Sequence, residues 1–114
     1  MAVQDILVVD DYPANLMLLE KQLSVLGHRV TQASDGAGGL QAWQAGRFDA
    51  VITDCNMPGM DGPQLAREIR AQEAQANRPP CLILGLTANA QADERERCLA
   101  SGMDDCLFKP IGLG

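Results

Sequence analysis

The amino-acid sequence predicts a doubly wound, three-layer α/β sandwich in which helices cover both faces of a parallel sheet. Short apolar runs, such as residues 6–9 and 50–53, alternate with segments whose apolar residues recur at helical spacing. That alternation is typical of buried parallel strands joined by right-handed crossover helices. Several runs also end in a charged or hydroxyl side chain. Ligands of such folds bind beyond the carboxyl ends of the strands, so the pattern also indicates where a site would lie.

Five apolar runs are predicted to be the strands of the sheet. They cover residues 6–9, 29–33, 50–53, 82–86 and 106–108. Each is shorter than a typical helix and is bounded by polar or turn-forming residues. The second run, RVTQA, is the least apolar of the five. We therefore expect it at an edge of the sheet, where one side is less covered.

Four segments between these runs have the spacing of amphipathic helices. They are residues 13–26, 36–45, a segment that begins at 61–63, and 92–101. Pro13 and Pro63 suit the first turn of their helices, because that position needs no backbone amide hydrogen. Gly27 and Gly102 are expected to cap the ends of the first and the fourth helix. The polar stretch 72–78 is expected to be the longest loop.

The end of the sequence is short for this fold. Only four residues follow Pro110, which is too few for the helix that should cover one face of the fifth strand. We therefore expect residues 1–114 to form one domain whose last helix is truncated or missing. Such a chain should be less stable than the intact domain or should self-associate through the uncovered face.

Length and charge limit the possible partners. The 114 residues, 46% of them hydrophobic and 21% charged, are typical of one soluble domain. The net charge of −6 argues against nucleic acid as a partner, since phosphate binding needs clustered Lys and Arg. No apolar run approaches the roughly 20 residues of a membrane span. We expect no direct membrane contact from this domain and a cytoplasmic location.

Side chains suited to binding metal and phosphate follow four of the predicted strands. These side chains are Asp10, Asp11, Asp54, Thr87 and Lys109. Because the carboxyl ends of parallel strands meet at one edge, we expect the three carboxylates and the ammonium group to converge. Crowded carboxylates repel one another unless a hard cation neutralises them. The sequence therefore predicts a Mg²⁺ and phosphoryl site, in which Asp54 could act as ligand and as nucleophile.

Each of these residues also has a common structural role. Two acids after a strand often cap the next helix, as Asp10 and Asp11 could do here. Thr87 could satisfy a backbone group at the strand end, and Lys109 alone would be a solvated charge. Their coincidence at four separate strand ends favours the functional interpretation.

The cysteines and the histidine give no metal-binding pattern. Cys55, Cys81, Cys98 and Cys106 contain no C-x-x-C pair, and His28 is the only histidine. We therefore expect no zinc site and interpret the cysteines as ordinary buried thiols in a reducing compartment.

The sequence resembles the receiver domain of response regulators in two-component signalling over essentially its whole length. The matching segments are VVDDYPANLMLL, ITDCNMPGMDG, LTANA and CLFKP. The resemblance implies a flavodoxin-like sheet of five parallel strands in the order 2-1-3-4-5. The segments TDCNMPGMDG, GMDD and KPI are most similar to receivers of hybrid sensor histidine kinases.

The resemblance also implies the metal site. Asp54 would be the phosphoacceptor and a Mg²⁺ ligand, and Asp11 would bind Mg²⁺ directly. Asp10 would bind the metal largely through water, and Asn56 would contribute its backbone carbonyl.

Further residues would bind the phosphoryl group or respond to it. Thr87 would be the switch hydroxyl, followed by Ala88, and Lys109 would be the phosphoryl-binding cation. Pro110 is a candidate for a cis peptide that aims Lys109 inward. Cys106 stands where receivers usually carry Tyr or Phe. We interpret this departure as favouring a domain that passes its phosphoryl group on over one that signals through a moving ring.

The expected function is to accept a phosphoryl group from a phosphohistidine in a phosphorelay. The donor would be a histidine kinase or a histidine-phosphotransfer domain, and Met17 and Leu18 of the first helix are candidate docking residues. The domain alone would not be an independent enzyme, although its parent chain could be a membrane-anchored histidine kinase. One alternative is a degenerate receiver that binds partners without phosphorylation. Another is a Mg²⁺-dependent aspartyl-phosphate hydrolase, which the presence of Asn56 in place of a second acid disfavours.

Overall fold

The computed structural model describes residues 3–55, 57, 59–87 and 92–108. The elements in chain order are β1 (Asp5–Val9), α1 (Pro13–Val25), β2 (Arg29–Ala33), α2 (Gly36–Ala45), β3 (Ala50–Asp54), α3 (Gly62–Ala76), β4 (Leu82–Thr87), α4 (Ala92–Ala100) and β5 (Asp105–Phe108). The alternation of strands and helices is the one that the apolar periodicity predicts, and the strand bounds differ from the predicted ones by a residue at most.

The described strands form one parallel sheet in the order β2-β1-β3-β4-β5, which confirms the predicted topology. The least apolar strand, β2, lies at an edge as expected. At the centre, β1 and β3 are neighbours, and Val9 lies opposite Thr53. The residues that follow these two positions therefore leave the sheet side by side at the same edge.

Helices pack on both faces of the sheet. Successive side chains of β1 point to opposite sides, and because they are apolar on both sides, each side is covered. On one face, Leu7 lies in a core with Trp43 of α2 and Leu65 of α3. On the other face, Ile6 packs with Leu16 of α1. The central strands are thus buried on both sides, as their continuous apolar runs predict.

The prediction that the polar stretch 72–78 is a loop is wrong for residues 72–76 and holds for residues 77 and 78. Helix α3 continues to Ala76 and ends at Asn77, whose φ of 56° lies in the left-handed region typical of helix ends. The residues from 72 to 76 are mostly good helix formers. Their polarity is misleading because Glu73 faces inward and is only 5% exposed.

A buried ion pair explains how Glu73 is accommodated. Arg70 donates to Glu73 Oε1 at 2.9 Å and to Asp104 Oδ2 at 2.9 Å. The same guanidinium donates to the carbonyls of Cys81 at 2.8 Å and of Gly102 at 2.9 Å. Arg70 therefore ties α3 to the start of β4 and to the turn before β5.

The two glycines predicted to cap helix ends have the backbone conformation that this role requires. Gly27 and Gly102 have φ values of +90° and +106°, which glycine adopts readily at the ends of helices.

The expectation about the last helix concerns residues 109–114, which lie outside the described residues, and it stays a prediction. Among the residues described, no helix has the length and apolar character needed to span a bilayer.

Candidate metal and phosphoryl site

Three carboxylates meet at the carboxyl ends of β1 and β3. Asp10 directly follows β1, Asp11 comes next, and Asp54 is the last residue of β3. Carboxylate oxygens of all three lie within 4.8 Å of one another. Asp10 is fully buried and Asp54 is 6% exposed, whereas Asp11 is exposed. The structure thus brings together the acids that the topology argument predicts to converge.

The Asp10 carboxylate is held in a fixed orientation. Its Oδ1 accepts a hydrogen bond from the Tyr12 backbone N–H at 2.9 Å, and its Oδ2 accepts one from Asn15 Nδ2 at 3.1 Å. The backbone N–H of Asp10 donates to the Ala33 carbonyl at 3.1 Å. Tyr12 occupies the N-cap position of α1. Neither Asp10 nor Asp11 therefore caps this helix, which is the common structural role that their sequence positions also allow.

Asn15 was not identified from the sequence. An asparagine in the first turn of a helix has many ordinary roles, and only its hydrogen bond to Asp10 gives it one here. Its place in the first turn of the helix could have identified it. A first-turn side chain of the helix after β1 lies above the same sheet edge as the residues that end the strand.

Helix α3 begins against the end of β3, next to Asp54. The Asp61 side chain accepts from the Gln64 N–H at 2.9 Å and so caps the helix. Gly62 lies directly on the backbone of β3, where a Cβ atom would overlap the Asp54 carbonyl oxygen and approach the Cys55 Cα to 2.9 Å. The position of the Asp54 backbone therefore depends on a glycine at residue 62.

We expect Gly62→Ala to destabilise the domain by about 1–3 kcal/mol, the usual cost of overpacking a closely packed site. The matched control is Gly46→Ala, where the nearest atom to a new Cβ is 3.4 Å away. Urea unfolding of both variants measures the difference. Equal, small losses in the two variants would show that the contact between α3 and β3 is not tight.

Thr87 lies at the same edge of the sheet. It ends β4, the strand next to β3, one residue beyond the position paired with Asp54. Its side chain is fully buried. The other residues predicted for this site, Asn56, Ala88, Lys109 and Pro110, lie outside the described residues.

The donor set fits Mg²⁺. The three acids offer only carboxylate oxygens, which are the protein ligands that this hard cation prefers. Two of the acids are buried and one is exposed, so a bound ion would keep one side open to water and substrate. A cation there would also offset the repulsion among three like charges.

A second cluster joins three of the cysteines, and no spacing in the sequence predicts it. The sulfur atoms of Cys55, Cys98 and Cys106 all lie within 4.8 Å of one another, and all three residues are buried. Cys81 is only partly buried and lies outside the cluster. Burial raises the pKa of the Cys55 thiol and of the Cys98 thiol, which keeps them protonated at neutral pH.

The candidate docking residues of α1 are accessible. Met17 is 69% exposed and Leu18 is 47% exposed, and Tyr12 at the start of the helix is exposed too. All three belong to the segment that follows Asp11, with Tyr12 at the N-cap of α1 and Met17 and Leu18 in its first half.

Comparisons with known proteins agree on one family. The family model of the response regulator receiver domain matches residues 6–114 of the chain. The chain is 57% identical over 110 residues to the virulence sensor protein BvgS of Bordetella pertussis, covering 95% of this chain but 9% of BvgS. The chain thus spans about a tenth of the length of this relative.

Solved structures give the same result. The receiver domain of sensor histidine kinase PA1611 from Pseudomonas aeruginosa, crystallised with a magnesium ion in its active site cleft, is 44% identical with a TM-score of 0.83. The match covers 97% of this chain and 88% of that one. The receiver of Saccharomyces cerevisiae Ssk1, in complex with the histidine phosphotransfer protein Ypd1, is 26% identical with a TM-score of 0.91, covering 97% and 81%.

Proposed function

The chain belongs to the response regulator receiver domain family, and from this premise we propose that it accepts a phosphoryl group in a two-component phosphorelay. The group passes from a phosphohistidine onto Asp54 with Mg²⁺ bound. The observation that carries the proposal is the convergence of Asp10, Asp11 and Asp54 within 4.8 Å. Three negative charges at one edge of the sheet repel one another unless a bound cation neutralises them. Phosphoryl transfer needs such a cation to offset the charge of the transferred group.

In the proposed reaction a carboxylate oxygen of Asp54 attacks phosphorus and forms an O–P bond. The P–N bond to the donor histidine breaks, and its electron pair stays on the imidazole nitrogen. The products are an acyl phosphate at residue 54 and a neutral histidine in the donor. Asp54 suits this role because it ends a central strand whose backbone is fixed by the neighbouring strands and by Gly62.

The metal ligands follow from the same placement. We assign them to Asp10, Asp11, Asp54 and the backbone carbonyl of Asn56. When bound, Mg²⁺ neutralises the carboxylates and the oxygens of the phosphoryl group. The hydrogen bonds that Asp10 accepts hold it in place for binding the ion through water. The magnesium ion in the PA1611 receiver supports this assignment, since that domain is 44% identical to the chain.

The remaining assignments concern the phosphoryl group. The Thr87 hydroxyl donates a hydrogen bond to a phosphoryl oxygen, and Ala88 contributes to the same binding site. Lys109 supplies a positive charge against another oxygen and offsets the charge of a loose transition state. Pro110 is the proposed site of a cis peptide that aims Lys109 inward. Cys106, in place of a large ring, favours onward transfer of the group over signalling through that position.

The parent chain is proposed to be a hybrid sensor histidine kinase. The support is the 57% identity to a stretch that makes up 9% of a sensor protein. In such a protein the domain is the acceptor and not an independent enzyme. It lies on the cytoplasmic side and is phosphorylated by the kinase or exchanges phosphoryl groups with a histidine-phosphotransfer domain.

The apolar surface of Tyr12, Met17 and Leu18 is proposed to dock the phosphohistidine partner. These side chains stand in the half of α1 that begins next to Asp11, and an apolar helix face is suited to packing on another helix. We expect the double variant Met17→Gln, Leu18→Gln to slow phosphoryl transfer from a phosphorylated histidine-phosphotransfer domain about tenfold. Its rate with acetyl phosphate should be unchanged, because a small donor needs no docking surface.

The control for the docking surface is Val25→Gln. Val25 is 82% exposed on the same helix but lies at the end away from the site. It should leave both rates unchanged. If the double variant slows both donors equally, the surface acts on the fold of the site and not on docking.

The proposed function is tested by the intact mass of the chain after incubation with acetyl phosphate. With Mg²⁺ we expect a gain of one phosphoryl group, about 80 Da. Chelation of the metal should prevent the gain, and added Mg²⁺ should restore it. No gain in a folded chain that binds Mg²⁺ would instead support a phosphorylation-independent interaction module.

A further inference from the structure

The cysteine cluster connects three separate elements at the side of the proposed site. Cys55 directly follows β3, Cys98 lies in α4, and Cys106 lies in β5. The Cys55 and Cys98 sulfurs are 2.9 Å apart, and those of Cys55 and Cys106 are 4.0 Å apart. Of these two pairs, Cys55 and Cys98 therefore have the closer sulfurs.

Helix α4 enters the core of the domain through this cluster. Among its side chains that the structure describes, Cys98 is the one that is buried, and the apolar Leu99 is 40% exposed. Ion pairs link Arg97 to Asp61 at 3.4 Å and Arg95 to Asp105 at 3.2 Å. Ion pairs at such exposed positions contribute little, and Cys98 is the described side chain through which the helix reaches the hydrophobic core.

We propose that Cys55 and Cys98 form a reversible intramolecular disulfide when the chain meets a peroxide, and that this bond fastens α4 to the end of β3. A disulfide has an S–S distance of about 2.0 Å, so the two sulfurs need to approach by roughly 0.9 Å. A helix with so few buried contacts can move that far. The bond would lie one residue from Asp54, and its formation does not depend on the proposed phosphoryl transfer.

The chemistry balances with hydrogen peroxide as the oxidant. Once local opening exposes the cluster to water, one cysteine loses its proton and its thiolate attacks a peroxide oxygen. The products are a sulfenic acid and, with that proton, one water molecule. The second sulfur then attacks the sulfenic sulfur, the S–S bond forms, and the hydroxyl leaves as a second water molecule. Two thiols lose two electrons to the peroxide, and both thiol protons end in water. A dithiol reductant reverses the reaction by thiol–disulfide exchange.

The cluster is closed to solvent in the folded chain, so oxidation has to proceed through local opening. The short helix α4 is the element that can open, because few buried contacts hold it. In a reducing compartment such a bond is transient, which is typical of cysteines that sense oxidants. The half-buried Cys81 is an internal reference, since it does not belong to the cluster.

The test is peptide mapping of the wild-type chain after brief treatment with hydrogen peroxide and alkylation in denaturant. We expect one linked peptide pair that contains Cys55 and Cys98, with a mass two hydrogens below the sum of the free peptides. Cys81 and Cys106 should be alkylated, and dithiothreitol should restore four alkylated cysteines. Four free thiols after oxidation, or a link that involves Cys81 or Cys106, would overturn the proposal.

Two further measurements test which cysteines form the bond and whether the bond restrains helix α4. Cys106→Ser should keep the Cys55–Cys98 link, whereas Cys98→Ser should lose it. In the oxidised wild-type chain, backbone amides of α4 should exchange hydrogen about tenfold more slowly than in the reduced chain. Unchanged exchange would show that the bond does not fasten the helix. Both readouts are independent of phosphorylation, so a failure here and a failure of the proposed function can be told apart.

Discussion

Asp54→Asn will abolish phosphoryl uptake from acetyl phosphate. Asparagine has nearly the same shape as aspartate, so the packing at the end of β3 is retained. Its amide oxygen carries no negative charge and does not form a stable acyl phosphate, so the proposed O–P bond is not made. Intact mass spectrometry of the variant in Mg²⁺ is expected to show only the unmodified chain.

The matched control is Asp49→Asn, which removes the same charge. Asp49 is exposed and precedes β3, at the end of the strand away from Asp54. This variant should take up one phosphoryl group at the wild-type rate. Phosphoryl uptake by the Asp54 variant at a wild-type rate would place the phosphoacceptor at another residue.

Arg70→Met will remove about 2–4 kcal/mol from the free energy of unfolding. The substitution keeps the apolar stem of the side chain but leaves Glu73, which is 5% exposed, without its ion-pair partner. Loss of one partner of a buried pair typically costs about 3–5 kcal/mol, and the 23% exposure of the Arg70 side chain lowers that figure. Two backbone carbonyls also lose a charged donor.

The control for Arg70 is Arg95→Met. The Arg95–Asp105 pair is exposed on both sides, so its loss should cost at most about 1 kcal/mol in urea unfolding. The double variant Arg70→Met, Glu73→Gln should recover part of the loss, because it no longer buries an unpaired charge. Equal losses in the Arg70 and Arg95 variants would mean that the guanidinium does not act as a structural tie.

The strands and the site edge could be predicted from the sequence because both depend on local pattern and on one topological rule. An apolar run between turn signals marks each strand. Parallel strands then bring their carboxyl ends to one edge, so Asp10 and Asp54 had to lie close together wherever β1 and β3 are neighbours. That neighbour relation itself came from the family resemblance and not from periodicity.

The features that escaped prediction depend on contacts between distant parts of the chain. The polarity of the stretch 72–78 predicts a loop. Only the pairing of Glu73 with Arg70 explains why a helix can bury Glu73 there. The cysteine cluster joins residues 43 and 51 positions apart. No local spacing relates those residues, so their meeting is a consequence of packing.

The measurement that tests the central claim most directly is the location of the phosphoryl group in the wild-type chain. The chain is incubated with acetyl phosphate and Mg²⁺, treated with borohydride, and digested for peptide mass mapping. Borohydride reduces an acyl phosphate to an alcohol, so a phosphorylated Asp54 is recovered as homoserine. We predict homoserine at residue 54 alone, and none when Mg²⁺ is chelated. Homoserine at another aspartate, or its absence from a chain that has gained phosphoryl mass, would contradict the assignment of Asp54 as the phosphoacceptor.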